Sequence, residues 1–153
     1  MTAIRRHLDA SIGYLGLGLL MDAWNELEEI DAKDRTRPEV LKLRVEVCRA
    51  LENWEMMAEV SQFLAKGEPN DPSHVLNLAY AKRRFESVES AERVLKVAEA
   101  KFPDCALIQY NLGCYLAVSG RPDEARRYLS EAFKKDSGLR ASALDDSDLD
   151  GIW

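Results

Sequence analysis

The chain has 153 residues, of which 46% are apolar and 31% charged, enough for a buried core and too apolar for intrinsic disorder. Three cysteines are too few for a disulfide-built scaffold, two histidines leave little for a zinc site or a His-based catalyst, and a net charge of −6 disfavours wholesale nucleic-acid binding. Eight glycines and five prolines are few for the many turns of an all-β fold.

The elements follow in chain order. Leu8–Leu15 predicts a helix, and Ala23, Leu27 and Ile30 at i, i+4, i+7 predict the apolar face of a second. The apolar run Ile12 to Met21 has ten residues, half of what a membrane span needs. Arg5 and Arg6 ahead of it would suit a signal core. Against that, Asp9 stands at its entrance and Asp22-Ala23-Trp24-Asn25-Glu26 follows with no small-x-small cleavage site. Val40–Leu51 predicts a further helix, and Trp54 opens the next hinge. Glu68-Pro69-Asn70-Asp71-Pro72 punctuates the chain before the stretch His74–Arg84. Ala91, Leu95 and Ala98 repeat the i, i+4, i+7 face, Phe102-Pro103-Asp104 closes it, and Ala106–Val118 is helical again. In Ser119-Gly120-Arg121-Pro122-Asp123, Gly120 suits a helix end and Pro122 a first turn. Ala125, Leu129 and Ala132 carry the last such face. Ala141, Ala143 and Leu144 are set to start one more helix, and Leu149, Ile152 and Trp153 to dock. No segment alternates long enough to be a strand.

These faces share a period. Subtracting 34 from Leu112, Gly113, Gly120, Ala125, Leu129 and Ala132 gives Leu78, Ala79, Glu86, Ala91, Leu95 and Ala98. A second subtraction gives Arg44, Val45, Glu52, Met57, Ser61 and Leu64, and a third gives Ala10, Ser11, Gly18, Ala23, Leu27 and Ile30. Pro69 and Pro103 are 34 apart as well. The recurrence is of helix pairs, with small residues where two helices must approach.

On these residues the chain resembles the tetratricopeptide repeat (TPR) proteins. The fit is best in 106–139, at Leu112, Gly113, Gly120, Ala125, Leu129 and Ala132, though Ser137 stands where the family has proline. Units 72–105 and 4–37 match in part. Unit 38–71 is degenerate, with Met57 and Leu64 in place of alanines. The resemblance implies an all-α fold, a right-handed superhelix (α-solenoid) of antiparallel helix pairs in one domain, 1–153, with four units and a capping tail, 140–153. The tail carries Asp145, Asp146, Asp148 and Asp150 and no basic residue from 141 on, so −4 of the chain's −6 lies in 141–153 and −2 in the rest. It reads as a solvated cap or, through Leu149, Ile152 and Trp153, a self-association segment. Its acidic spacing lacks the glycine and glutamate of a calcium loop, so no metal is expected.

The resemblance also implies a concave groove lined by the first helix of each pair. Mapped by register, unit 38–71 supplies Lys42, Glu46 and Arg49, with Glu39 and Leu43. Unit 72–105 supplies Ser73, Asn77, Tyr80, Arg83 and Arg84, with Leu76. Unit 106–139 supplies Leu107, Tyr110, Asn111 and Cys114, with Val118, and the first unit Leu8, Ile12 and Leu15. Asn77 and Asn111 suit the backbone of an extended peptide, Tyr80 and Tyr110 give rigid area with a polar tip, and the arginines suit carboxylates. TPR domains that clamp a chaperone's C-terminal carboxylate need five polar positions. Lys42 and Asn77 fit, Leu107 and Asn111 do not, and Glu46 would repel the ligand.

Neither His7 nor His74 belongs to a nucleophile motif, and His74 reads as a first-turn surface residue. Phosphate loops and metal-ligating clusters are absent from the pattern, so neither an enzyme nor a cofactor is expected. Cys48, Cys105 and Cys114, an odd number with no C-x-x-C, read as reduced thiols of a cytoplasmic protein. The expected role is a non-catalytic module holding a peptide or helix of a protein partner, with no nucleic acid and no membrane. A chaperone like those of type III secretion and a homo-oligomeric scaffold are the rival readings.

Overall fold

A computed structural model describes residues 2–153. The described residues are all-α: helices come in sequential antiparallel pairs, and none of these residues lies in a strand. The helices are α1 (Ala3–Gly16), α2 (Leu20–Glu28), α3 (Pro38–Leu51), α4 (Trp54–Gly67), α5 (Ser73–Phe85), α6 (Val88–Lys101), α7 (Ala106–Val118), α8 (Pro122–Lys135) and a short α9 (Leu139–Leu144). Single 3-10 turns occupy Ala32–Asp34 and Ser147–Leu149. None of these helices is long and apolar enough to cross a membrane.

The second helices keep the sequence period without deviation: α2, α4, α6 and α8 begin at Leu20, Trp54, Val88 and Pro122, each 34 after the last. Local chemistry sets these starts. Asn53 and Ser87 accept the backbone N–H of the third helical residue with their side chains (3.3 and 3.0 Å), and Pro122 stands in the first turn of α8. Just ahead of each start the chain reverses. Gly18 (φ 75°), Glu52 (φ 58°) and Gly120 (φ 77°) share one register position and one left-handed backbone, so Glu52 holds a conformation that suits glycine. Glu86, at the same register, turns the corner with a negative φ of −114° instead.

The chain forms two compact units, the first ending at Pro69 and the second running from Asn70 to Trp153; their boundary falls in the punctuation segment Glu68–Pro72. In the first unit, Leu8, Ala23, Leu27, Ile30, Val40 and Val47 make one core cluster. Arg44, at 8% exposure, lies 4.7 Å from the Trp24 ring and gives a 2.8 Å hydrogen bond to Glu28. Arg35 donates to the carbonyls of Ile30 and Glu28, satisfying the end of α2. The degenerate repeat packs by exchange: Met57 fills the position where the other repeats have Ala, and Ser61 takes the one where they have Leu, both fully buried.

In the second unit the core runs from Ala79 through Leu95, Ile108, Leu112, Leu116 and Leu129 to Ala143, Leu149 and Ile152. Gly113 lets α7 pack closely on α8. A Cβ there would sit 2.8 Å from the Leu129 side chain.

Three expectations are corrected. His74 is not a surface residue: it is 3% exposed, with Nε2 3.6 Å from an Asp71 oxygen. Trp153 does not dock, being 62% exposed, whereas Leu149 and Ile152 are buried. The acidic tail is not merely solvated, because Asp146 and Asp148 are half-buried against α5 and α7.

Candidate functional site

The register-mapped residues divide between the two units. In the first, on α3, Lys42 pairs with Glu68 at 3.2 Å, and Glu46 pairs with Arg49 one turn on at 3.5 Å. These are exposed or half-exposed ion pairs of modest worth.

In the second unit, α5 and α7 bring three of the mapped residues together: Arg83, Tyr110 and Cys114. A segment of the same chain lies on them. The Arg83 guanidinium forks onto the Asp148 carboxylate, Nη1 to Oδ2 at 2.6 Å and Nη2 to Oδ1 at 2.8 Å. The Tyr110 hydroxyl donates to Asp146 Oδ2 at 2.8 Å, and Cys114 Sγ lies 3.6 Å from the same oxygen. The other Asp146 oxygen accepts the backbone N–H of Asp148 at 3.0 Å, which fixes the spacing of the two acids. Leu149 then enters the core with no exposure. Arg126 of α8 donates to the Ile152 carbonyl at 3.1 Å.

The electrostatics agree with this donor set. The hydrogen bond to Asp148 raises the Arg83 pKa further above its ordinary value. Burial, reinforced by Asp146, pushes Tyr110 and Cys114 far up, so both keep the protons they donate. Arg83 also lies 5.5 Å from the ring of Tyr115, a residue that register mapping did not single out. Cys114 Sγ and carboxylate oxygens of Asp146 and Asp148 lie within 4.8 Å of one another. The positive charge beside these acids comes from Arg83.

The remaining mapped residues do not touch the tail through any of these bonds. Arg84 stacks on its neighbour Tyr80, 3.3 Å from the ring centroid, and donates to the Tyr80 carbonyl at 2.9 Å. Asn77 and Asn111 are half-buried, one repeat apart. Ser73 is exposed at the start of α5, and Leu107 is 48% exposed.

Two further recesses of the second unit escaped sequence reasoning. One of about 350 Å³ is lined by Lys96, Glu99, Gln109, Glu124, Arg127, Tyr128 and Glu131. There Lys96 donates to the Tyr128 hydroxyl, and that hydroxyl donates to Glu99, each at 2.9 Å. The other, about 280 Å³, lies between Phe133, Arg140, Ile152 and Trp153. Both are bounded by residues of α8.

No protein-family model matches the sequence, and no curated protein matches it. Solved structures do match in fold. MamA (residues 41 to the end) from Desulfovibrio magneticus RS-1 superposes with a TM-score of 0.72 at 18% identity, over 90% of this chain and 77% of that one. MamA of MSR-1 gives 0.71 at 16%, over 87% and 76%. TTC0263 of Thermus thermophilus, described as a thermophilic TPR protein, gives 0.66 at 22%, over 87% and 74%. The fold is that of TPR proteins, a repeat of helix pairs.

Proposed function

We propose that this protein is a non-catalytic interaction module that holds a segment of a protein partner on the face of its first helices. A TPR fold is in general a protein–protein interaction module. One observation carries the finer reading. The α5–α7 face already holds a short non-α-helical length of polypeptide, 146–148, and does so through side chains: Arg83, Tyr110 and Cys114. Side-chain contacts read a sequence, whereas backbone contacts alone would not. A cytoplasmic setting belongs to the same reading and is supported by three cysteines that are all free thiols.

Photo-crosslinking tests it. A benzophenone amino acid is placed at Tyr80 or Leu107 on the first helices, or at Val97 on α6, which is 77% exposed. The full chain, expressed in its host, is expected to crosslink one protein from Tyr80 and Leu107 and not from Val97. Crosslinks from Val97 alone would remove the reading.

A second reading, a self-associating scaffold, is supported by the apolar surface of the first unit, where Ile12, Leu17, Leu19 and Met21 are each 45% to 75% exposed. Light scattering on the full chain decides it: a monomer at all concentrations sinks it.

A further inference from the structure

The tail segment Asp146–Leu149 sets a chemical pattern. Position 146 must accept hydrogen bonds from a phenol and a thiol. Position 148 must present two coplanar oxygens to the Arg83 fork. Position 149 must fill an apolar site completely. The interval between the two acids is held by the short turn in which Asp146 caps Asp148 N–H.

The same segment has little regular structure of its own: it is held by one 3-10 turn rather than a helix. Four aspartates fall within six residues, yet the two flanking ones, Asp145 and Asp150, are exposed. Their mutual repulsion opposes docking. What favours docking is the Arg83 fork and the buried Leu149, aided by the tether, which supplies the segment at an effective concentration on the order of millimolar.

We infer that the tail is an internal stand-in for the partner. The α5–α7 face selects an acidic protein segment of the pattern Asp-x-Asp-Leu, and the tail covers that face until such a segment displaces it. This rests on the interaction reading above and names the chemistry of the partner.

The probe is a fluorescein-labelled peptide with the sequence of residues 143–153, titrated into full-length protein and followed by anisotropy. The intact chain binds it weakly. The full-length Asp146→Asn/Asp148→Asn variant, whose own tail is loosened, binds it at least tenfold more tightly. Adding Arg83→Met to that variant reverses the gain, and a peptide with both aspartates changed to asparagine does not compete. A folded double variant that binds no tighter than the intact chain, or that binds the asparagine peptide equally, overturns the inference.

A second measurement uses the unaltered chain, so it does not depend on a variant's folding. The unlabelled peptide at millimolar concentration is expected to speed tryptic cleavage after Arg140, in α9, severalfold by freeing the tail, while the asparagine peptide does not. No acceleration overturns the inference. Failure of the peptide removes the acidic-segment assignment while the interaction reading stands on its crosslinks. A partner caught only from Val97 removes both.

Discussion

Arg83 and Asp148 stand 65 positions apart in the chain and meet through two hydrogen bonds of 2.6 and 2.8 Å. Their side chains are 25% and 23% exposed, so this is a partly desolvated, bidentate pair rather than a surface one. It ties the tail to α5.

Removing one partner leaves the other charge facing a half-dry site. Arg83→Met is expected to lower the unfolding free energy of the full chain by about 2 kcal/mol in urea denaturation. Asp148→Asn should cost less, because its amide still offers one acceptor to the guanidinium. The double variant should show a coupling of about 1 kcal/mol or more. Additive losses would mean that the pair is geometrically present but energetically idle.

Glu52 is the non-glycine residue with a left-handed backbone among those described, at φ 58°. The equivalent positions Gly18 and Gly120 show the conformation glycine adopts there freely. Glu52→Gly should therefore stabilise the protein, by about 0.5–1 kcal/mol, since relief of strain exceeds the added freedom of the unfolded chain. Thermal unfolding measures it. A drop in Tm would show that the Glu52 side chain contributes more than its strain costs.

Two small-residue substitutions in the core should have opposite signs. Gly113→Ala puts a methyl group 2.8 Å from the Leu129 side chain and should cost about 1–3 kcal/mol as α7 and α8 are pushed apart. Ser61→Ala removes a buried hydroxyl that has no hydrogen-bond partner among the described residues, and should be neutral or stabilising by up to about 1 kcal/mol. Chemical denaturation of both variants side by side checks the contrast. A costly Ser61→Ala would mean that the hydroxyl is satisfied in solution.

Alkaline pH should destabilise the fold. Burial pushes the Cys48 thiol up to about 11, against an opposing pull from Arg44, and the Tyr115 phenol up to about 12, against Arg83. Both are held neutral in the folded state, and the unfolded chain gives up these protons near pH 9 and 10, their ordinary values. Stability is then full below about pH 9 and declines as pH rises through 11. Cys48→Ala should be less stable at pH 7, from the cavity it leaves, and show a flatter decline between pH 9 and 11. Urea titrations across that range read the slope, and a decline equally steep in the variant would clear Cys48 of the effect.

The helices were readable because they rest on local terms: apolar faces at helical spacing and joints such as Gly120 and Pro122. The tail was not. An acidic run reads as solvated, since no basic residue lies within a few positions of Asp146 or Asp148. Their partners Tyr110 and Arg83 lie 36 and 65 residues earlier, and no local pattern links positions so distant. His74 failed for a related reason. Being in a first turn fixes its place along α5 but not which neighbour that turn faces. Mapping by register did single out Arg83, Tyr110 and Cys114, because those positions follow from helix periodicity; what occupies them did not follow.

The constant interval between the starts of α2, α4, α6 and α8 has a genetic consequence. A gene that gains or loses one whole repeat keeps every joint in phase, and the new neighbours meet through the same kind of face. A gene that slips by a single codon inside a repeat carries Gly18 or Gly120 off its turn and leaves a side-chain-bearing residue to make the left-handed bend. Such coding sequences are expected to change length in complete repeats and to resist change by single residues near the bends.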